Sequence, residues 1–97
     1  MCIRDRAETV QQVEALDRRV LSIEADVRDQ GALDAAVASG IAEFGKIDCL
    51  IANAGIWTLS SVQDMTDDTW QEMLDINITG VFHAVRAVAP HLSLIHI

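Results

Sequence analysis

The stretch from Ile47 to Ala52 narrows the choice of fold more than any other part of the chain. It reads Ile-Asp-Cys-Leu-Ile-Ala, a nearly continuous apolar run. A strand with one wet face alternates apolar and polar residues, whereas a run apolar throughout is covered on both faces, as strands of a parallel sheet are when helices lie above and below. A second run rich in branched residues, Val20 to Ala25, comes earlier, and the segment between the two has helical periodicity. Two strands joined by a helix predict a parallel α/β sheet. The expected order is helix, strand, helix, strand, loop, long helix.

The helices are legible from spacing and caps. Val10, Val13 and Leu16 predict a short amphipathic helix over about residues 7 to 17. Asp29 is placed to accept backbone N–H bonds at the start of the next helix, whose face is Leu33, Val37, Ile41 and Phe44. Gly45 ends it as a left-handed cap. Thr66, with Asp67 and Asp68 behind it, starts a long helix over roughly Asp67 to His91. Trp70, Met73, Leu74, Ile78, Val81, Phe82 and Val85 are expected to face inward from it. The chain is 51% hydrophobic with one proline and no repeat, so it reads as a single globular piece without linkers.

The two ends mirror each other at the DNA level. Met1 to Asp5 can be encoded by a string whose reverse complement translates as Leu-Ser-Leu-Ile-His-Ile, which is Leu92 to Ile97. That string resembles the transposon end used to fragment DNA for sequencing, so residues 1–6 and 92–97 are expected to be library scars. The native segment is then 7–91. Cys2 belongs to the scar on this reading, which leaves Cys49 alone, a buried small hydrophobe inside a strand, with no internal disulfide. The absence of a signal peptide and of a long apolar run points to the cytoplasm by default. A formal charge of −8 repels phosphate backbones and argues against nucleic acid or anionic membranes as partners.

Ligands of open α/β sheets bind beyond the carboxyl ends of the strands. Asp26-Val27 follows the first strand and Asn53-Ala54-Gly55 the second, so both turns lie on that edge. Ala54 and Gly55 leave no bulk over the backbone, so a flat sugar or ring can approach, and Asn53 supplies a donor and an acceptor. Taken singly, each also reads as a plain turn or cap. Asn77 and Gly80 are poor helix formers three residues apart in a strongly apolar helix. They mark either a functional demand or a solvent-facing Asn beside a close-packing Gly. His83 has no metal-ligand neighbour at suitable spacing and reads as a surface or interface residue, and no metal site is expected. Trp57 and Leu59 either border a substrate pocket or pack the loop.

The combination resembles the classical short-chain dehydrogenase/reductase family over essentially all of residues 7–91. The resemblance implies a partial, incomplete Rossmann-type doubly wound parallel sheet, here a partial NAD(P)-binding domain. It assigns cofactor contacts to Asp26, which hydrogen-bonds the adenine amino group, to Val27 beside it, to Asn53, Ala54 and Gly55 along the adenosine ribose, and to Ile76. It assigns Asn77 to the catalytic tetrad, positioning a water in the proton relay. Glu8 to Arg19, Ala25-Asp26-Val27-Arg28-Asp29 and Ala52-Asn53-Ala54-Gly55-Ile56 are similar to the mycofactocin-coupled, carveol-dehydrogenase-like group. The chain departs from the family at Asp17, where a glycine commonly ends the helix, and at Ala52, where many members have a second asparagine.

The implied activity is hydride transfer between NAD or NADP, with NAD favoured, and a small alcohol or ketone, in a homodimeric or homotetrameric parent. Family chemistry needs a tyrosine whose pKa a lysine lowers, and a serine. The chain has no tyrosine, its only lysine is Lys46, and the glycine-rich first turn is absent, so the 97-residue chain is expected to be inactive. Family strand order runs 3-2-1-4-5-6-7, and the two strands here correspond to the third and fourth. They are therefore expected either to leave a gap or to pair in a non-native way. The alternative class is a non-catalytic α/β module, response-regulator-like or flavodoxin-like, whose acidic turns bind Mg²⁺ or a partner.

Overall fold

Asp29 and Gly45 bracket a helix capped at both ends, in a computed structural model that describes residues 3–96. Helix α2 spans Gln30–Phe44. The Asp29 carboxylate accepts from the Ala32 N–H at 3.1 Å, satisfying a donor that the first turn leaves orphaned. At the other end Gly45 has φ 87°, and its N–H donates to the Ile41 carbonyl at 2.8 Å. Both caps are those expected. Leu33, Val37, Ile41 and Phe44 are each half-buried, which confirms the face read from their spacing.

Helix α1 spans Ile3–Ala15, so it starts upstream of the expected boundary. Neither glycine nor proline interrupts the backbone there. It ends where Leu16 and Asp17 donate to the carbonyls of Val13 and Glu14, at 3.1 and 3.0 Å. Asp17 then turns the chain at φ 60°, a left-handed conformation for a residue with a Cβ.

The long helix is not continuous. Thr66 caps α3, Asp67–Leu74, by accepting from the Thr69 N–H at 3.2 Å. A π-helical turn follows over Asp75–Thr79, in which the Gly80 N–H reaches back five residues to the Asp75 carbonyl. Helix α4, Gly80–His96, completes the segment. The turn coincides with the poor helix formers Asn77 and Gly80, and such insertions occur frequently at functional sites.

Helix α4 packs against α2, and the buried positions are the small residues Gly80 and Ala87 together with Val88. The inward face expected from apolar spacing is corrected accordingly. Trp70, Ile78, Val81, Phe82 and Val85 are exposed, Ile78 at 63%, and Met73 and Leu74 are half-buried. Close approach to α2 uses the side of α4 that has least bulk, which turns the large residues away from that contact.

The two expected strands leave a gap, one of the two outcomes expected for them. Among the described residues, neither Val20–Ala25 nor Ile47–Ala52 joins a β-ladder. A strand exists only through hydrogen bonds to a neighbour, and these two segments do not pair with each other. Their apolar side chains are correspondingly open: Ile51 is 81% exposed, and Cys49 is exposed, not buried. Trp57 and Leu59 are exposed too and pack no loop. The Cα radius of gyration is 16.1 Å, against about 13 Å for a closed domain of this length. The difference reflects apolar surface that no second layer covers.

Candidate cofactor site

Asp26 opens the turn after the first apolar segment. Its Oδ1 accepts from the Arg28 backbone N–H at 2.9 Å and from Arg28 Nε at 3.0 Å, and its Oδ2 accepts from the second guanidinium nitrogen at 2.7 Å. These side-chain bonds, with the backbone bond second, hold the Asp26 carboxyl down at about 2. The same pairing raises Arg28. Asp26 therefore remains an ionised, acceptor-only group over the physiological range, and it is exposed.

Val27 carries the turn into the body of the molecule. A Cβ built on Gly80 would lie 2.6 Å from Val27 Cγ2, so only glycine admits this approach of α4. One turn further along α4, His83 Nδ1 lies 2.7 Å from the Val27 carbonyl oxygen. A carbonyl only accepts, so Nδ1 carries the proton.

Val27 and Gly80 share a cavity of about 270 Å³ with Ala52, Asn53, Ala54 and Val81. Two residues beyond Ala54 in the chain, Ile56 is held by the side chain of Asn77. Asn77 Oδ1 accepts from the Ile56 N–H at 2.8 Å, and Asn77 Nδ2 donates to the Ile56 carbonyl at 3.0 Å. Gly55 makes this possible, because a Cβ there would stand 3.1 Å from Asn77 Oδ1.

Of the residues singled out in the sequence, Val27, Asn53 and Ala54 thus line one cleft, Asp26 directly precedes the lining residue Val27, and Gly55 approaches Asn77. Ile76 is half-buried in the π-helical turn and does not line the cleft. Sequence reasoning missed Arg28, Gln30 and Arg86, and read His83 as a surface or interface residue. A signal for His83 was present: it lies three residues beyond Gly80, hence on the side of α4 that a close-packing glycine brings inward. Chemically, the cleft can accept hydrogen bonds from an amino group at Asp26 and admit a flat ring over Ala52 and Ala54. Among the described residues no group of His, Cys, Asp and Glu could hold a metal ion.

A profile of the short chain dehydrogenase family matches residues 3–95. The chain belongs to this short-chain dehydrogenase family. As a short-chain dehydrogenase sequence it is 41% identical over 86 residues to (-)-trans-carveol dehydrogenase of Rhodococcus erythropolis, covering 88% of this chain and 31% of that protein. It is 37% identical over 89 residues to 2-dehydro-3-deoxy-D-gluconate 5-dehydrogenase of Escherichia coli, covering 92% and 35%.

Solved short-chain dehydrogenases follow the same path. Carveol dehydrogenase from Mycobacterium avium, in complex with NAD, matches with a TM-score of 0.88 at 45% identity, over 93% of this chain and 33% of that one. A short chain dehydrogenase from Burkholderia cenocepacia, in complex with NADP, matches with a TM-score of 0.86 at 37% identity, over 93% and 37%. The shared fold is α/β, and it is the family match over residues 3–95, not the fold class, that sets aside the response-regulator-like and flavodoxin-like readings. The chain spans about a third of the length of the relatives it matches.

Proposed function

We propose that this chain is an internal piece of an NAD(P)-dependent oxidoreductase and forms the adenosine-binding part of its cofactor cleft. The parent moves a hydride between the nicotinamide and an alcohol or ketone. The observation that carries this reading is the convergence of Val27, Asn53 and Ala54 on one cleft, with Asp26 ionised directly before Val27. An adenine amino group is a donor and needs an acceptor of that kind. Asn53 meets the ribose hydroxyls, and Ala54 and Gly55 let the sugar approach the backbone. Ile76, half-buried in the π-helical turn and outside this cleft, contacts a part of the cofactor that extends past it. NAD is favoured over NADP, because the solved relative at 45% identity is bound to NAD.

The nicotinamide supplies the hydride when bound. What this chain adds to the chemistry is Asn77. Its amide is committed at both ends to Ile56, so it serves the proton relay by holding the break in the long helix at a fixed distance from the cleft. The chain has no tyrosine and one lysine, Lys46, whose ammonium lies 3.5 Å from Asp48. The acid/base pair of the reaction therefore belongs to the rest of the parent, and the 97-residue chain is inactive alone. Residues 1–6 and 92–97 are library scars in this reading and 7–91 is native. Ile78 in the π-helical turn and Phe82 and Val85 on α4, all exposed, form the face through which the parent makes a homodimer or homotetramer. No described helix is long and apolar enough to cross a membrane, and the cytoplasm is the proposed location.

The decisive experiment is recovery of the full reading frame followed by NAD binding to the expressed product. A glycine-rich turn upstream, Tyr-x-x-x-Lys downstream, and loss of NAD affinity in Asp26→Ala support the proposal. A frame that lacks both motifs refutes it.

A further inference from the structure

We propose that His83 is a positioning residue for the adenine end of the cleft, fastening the turn that carries Asp26 to helix α4. This rests on the reading of Asp26 as the adenine acceptor. The argument is one of connectivity. His83 binds the segment Val27–Gln30 at both of its ends. At one end its Nδ1–H donates to the Val27 carbonyl at 2.7 Å. At the other, Gln30 Nε2 donates to the His83 backbone carbonyl at 3.1 Å.

The Gln30 amide is itself held in register, because its Oε1 accepts from Arg86 Nε at 2.8 Å and its Nε2 also donates to Asp34 Oδ1 at 2.9 Å. Arg86 in turn stacks with its guanidinium carbon 4.4 Å from the Phe82 ring centroid. Between the two fastened ends lie Arg28, which grips both oxygens of Asp26, and Asp29, which caps α2. The Asp26 carboxylate thus points where it does because Arg28 is held, and Arg28 is held because its short segment is closed against one residue of α4. The Val27–Gly80 contact limits approach but gives no direction. The His83 hydrogen bond supplies the direction.

The test uses the full-length enzyme carrying this segment, with 5′-AMP and nicotinamide mononucleotide as separate probes in titration calorimetry. His83→Leu keeps bulk and removes the donor. It is expected to weaken 5′-AMP about tenfold, the loss of one well-placed hydrogen bond, and to move nicotinamide mononucleotide by less than about twofold. His83→Asn places an amide N–H near the Nδ1 position and should restore 5′-AMP affinity to within about threefold of the parent. Gln30→Ala cuts the other tie at a half-buried residue and covers the case in which His83→Leu fails to fold. It is expected to weaken 5′-AMP about threefold.

Wild-type 5′-AMP affinity in folded His83→Leu or Gln30→Ala overturns the proposal, as does a His83→Asn no better than His83→Leu. Asp26→Ala separates the two levels of the argument. If Asp26→Ala weakens 5′-AMP and the His83 and Gln30 variants do not, this inference fails alone. If Asp26→Ala binds 5′-AMP normally, the reading of Asp26 fails and takes the inference with it.

Discussion

The side chain of Asn77 pairs with both backbone groups of Ile56, accepting from its N–H at 2.8 Å and donating to its carbonyl at 3.0 Å. One amide thereby replaces a missing backbone partner for a loop residue and joins the π-helical turn to the Asn53–Gly55 segment. The amide group is the only side-chain function of this size that both donates and accepts from fixed positions.

Asn77→Asp keeps the shape and loses the donor, leaving a carboxylate against the Ile56 carbonyl. A half-buried acceptor left without its partner costs about 1–3 kcal/mol, so the full-length protein should melt correspondingly earlier. Trp57, adjacent to Ile56 and 80% exposed, gives the fluorescence signal to follow. An unchanged melting curve would show that the Ile56 pairing contributes nothing.

Gly80→Ala drives a methyl group to 2.6 Å from Val27 Cγ2, a separation that real Cβ atoms do not tolerate. Either α4 backs away or Val27 shifts, at about 1–3 kcal/mol. Because Val27 lines the cleft, cofactor affinity should fall together with stability. Chemical denaturation and NAD titration of the same variant check both effects, and a loss of stability without loss of affinity would separate α4 packing from the cleft.

Asp17 occupies a left-handed position at φ 60° that glycine fills without strain. Asp17→Gly should stabilise the full-length protein by up to about 1 kcal/mol, the gain being limited because aspartate is among the side chains that tolerate this region best. Thermal unfolding decides the sign. Asp17→Val, whose branched Cβ resists the same conformation, should move the midpoint the other way.

The Asp26 carboxyl is held at about 2 by Arg28. Because its folded value is depressed, its contribution to stability is complete above the ordinary aspartate value of about 3.9 and is lost as pH falls toward about 2. Arg28→Met should return Asp26 to the ordinary range. Carbon-detected NMR titration of the carboxyl measures both states, and an Asp26 that titrates near 4 in the unaltered protein would mean the guanidinium pair does not persist in solution.

Local signals were read correctly where a few neighbouring residues settle the outcome. Asp29, Gly45 and Thr66 cap as their chemistry requires, since each bond closes within a turn. Asn77 and Gly80 were singled out as poor helix formers with two readings open, and the break they sit in went unforeseen, because the contacts that accompany it lie on the Ile56 loop and at Val27. The failures share a cause. Whether Cys49 is buried and whether Ile78 and Phe82 face inward depend on what lies across from them, and periodicity says nothing of the partner. His83 was underestimated for the same reason: its role depends on a carbonyl 56 residues away in sequence.

The π-helical turn over Asp75–Thr79 fits one more residue into a turn than a regular helix would. The widened turn absorbs that residue, so the rod continues beyond it with nearly the phase it would otherwise have, and the glycine edge of α4 still meets Val27. What the insertion displaces is local, the side chains of the wide turn itself, Asn77 among them. The irregularity thus serves the Ile56 loop without disturbing the helix that carries Gly80.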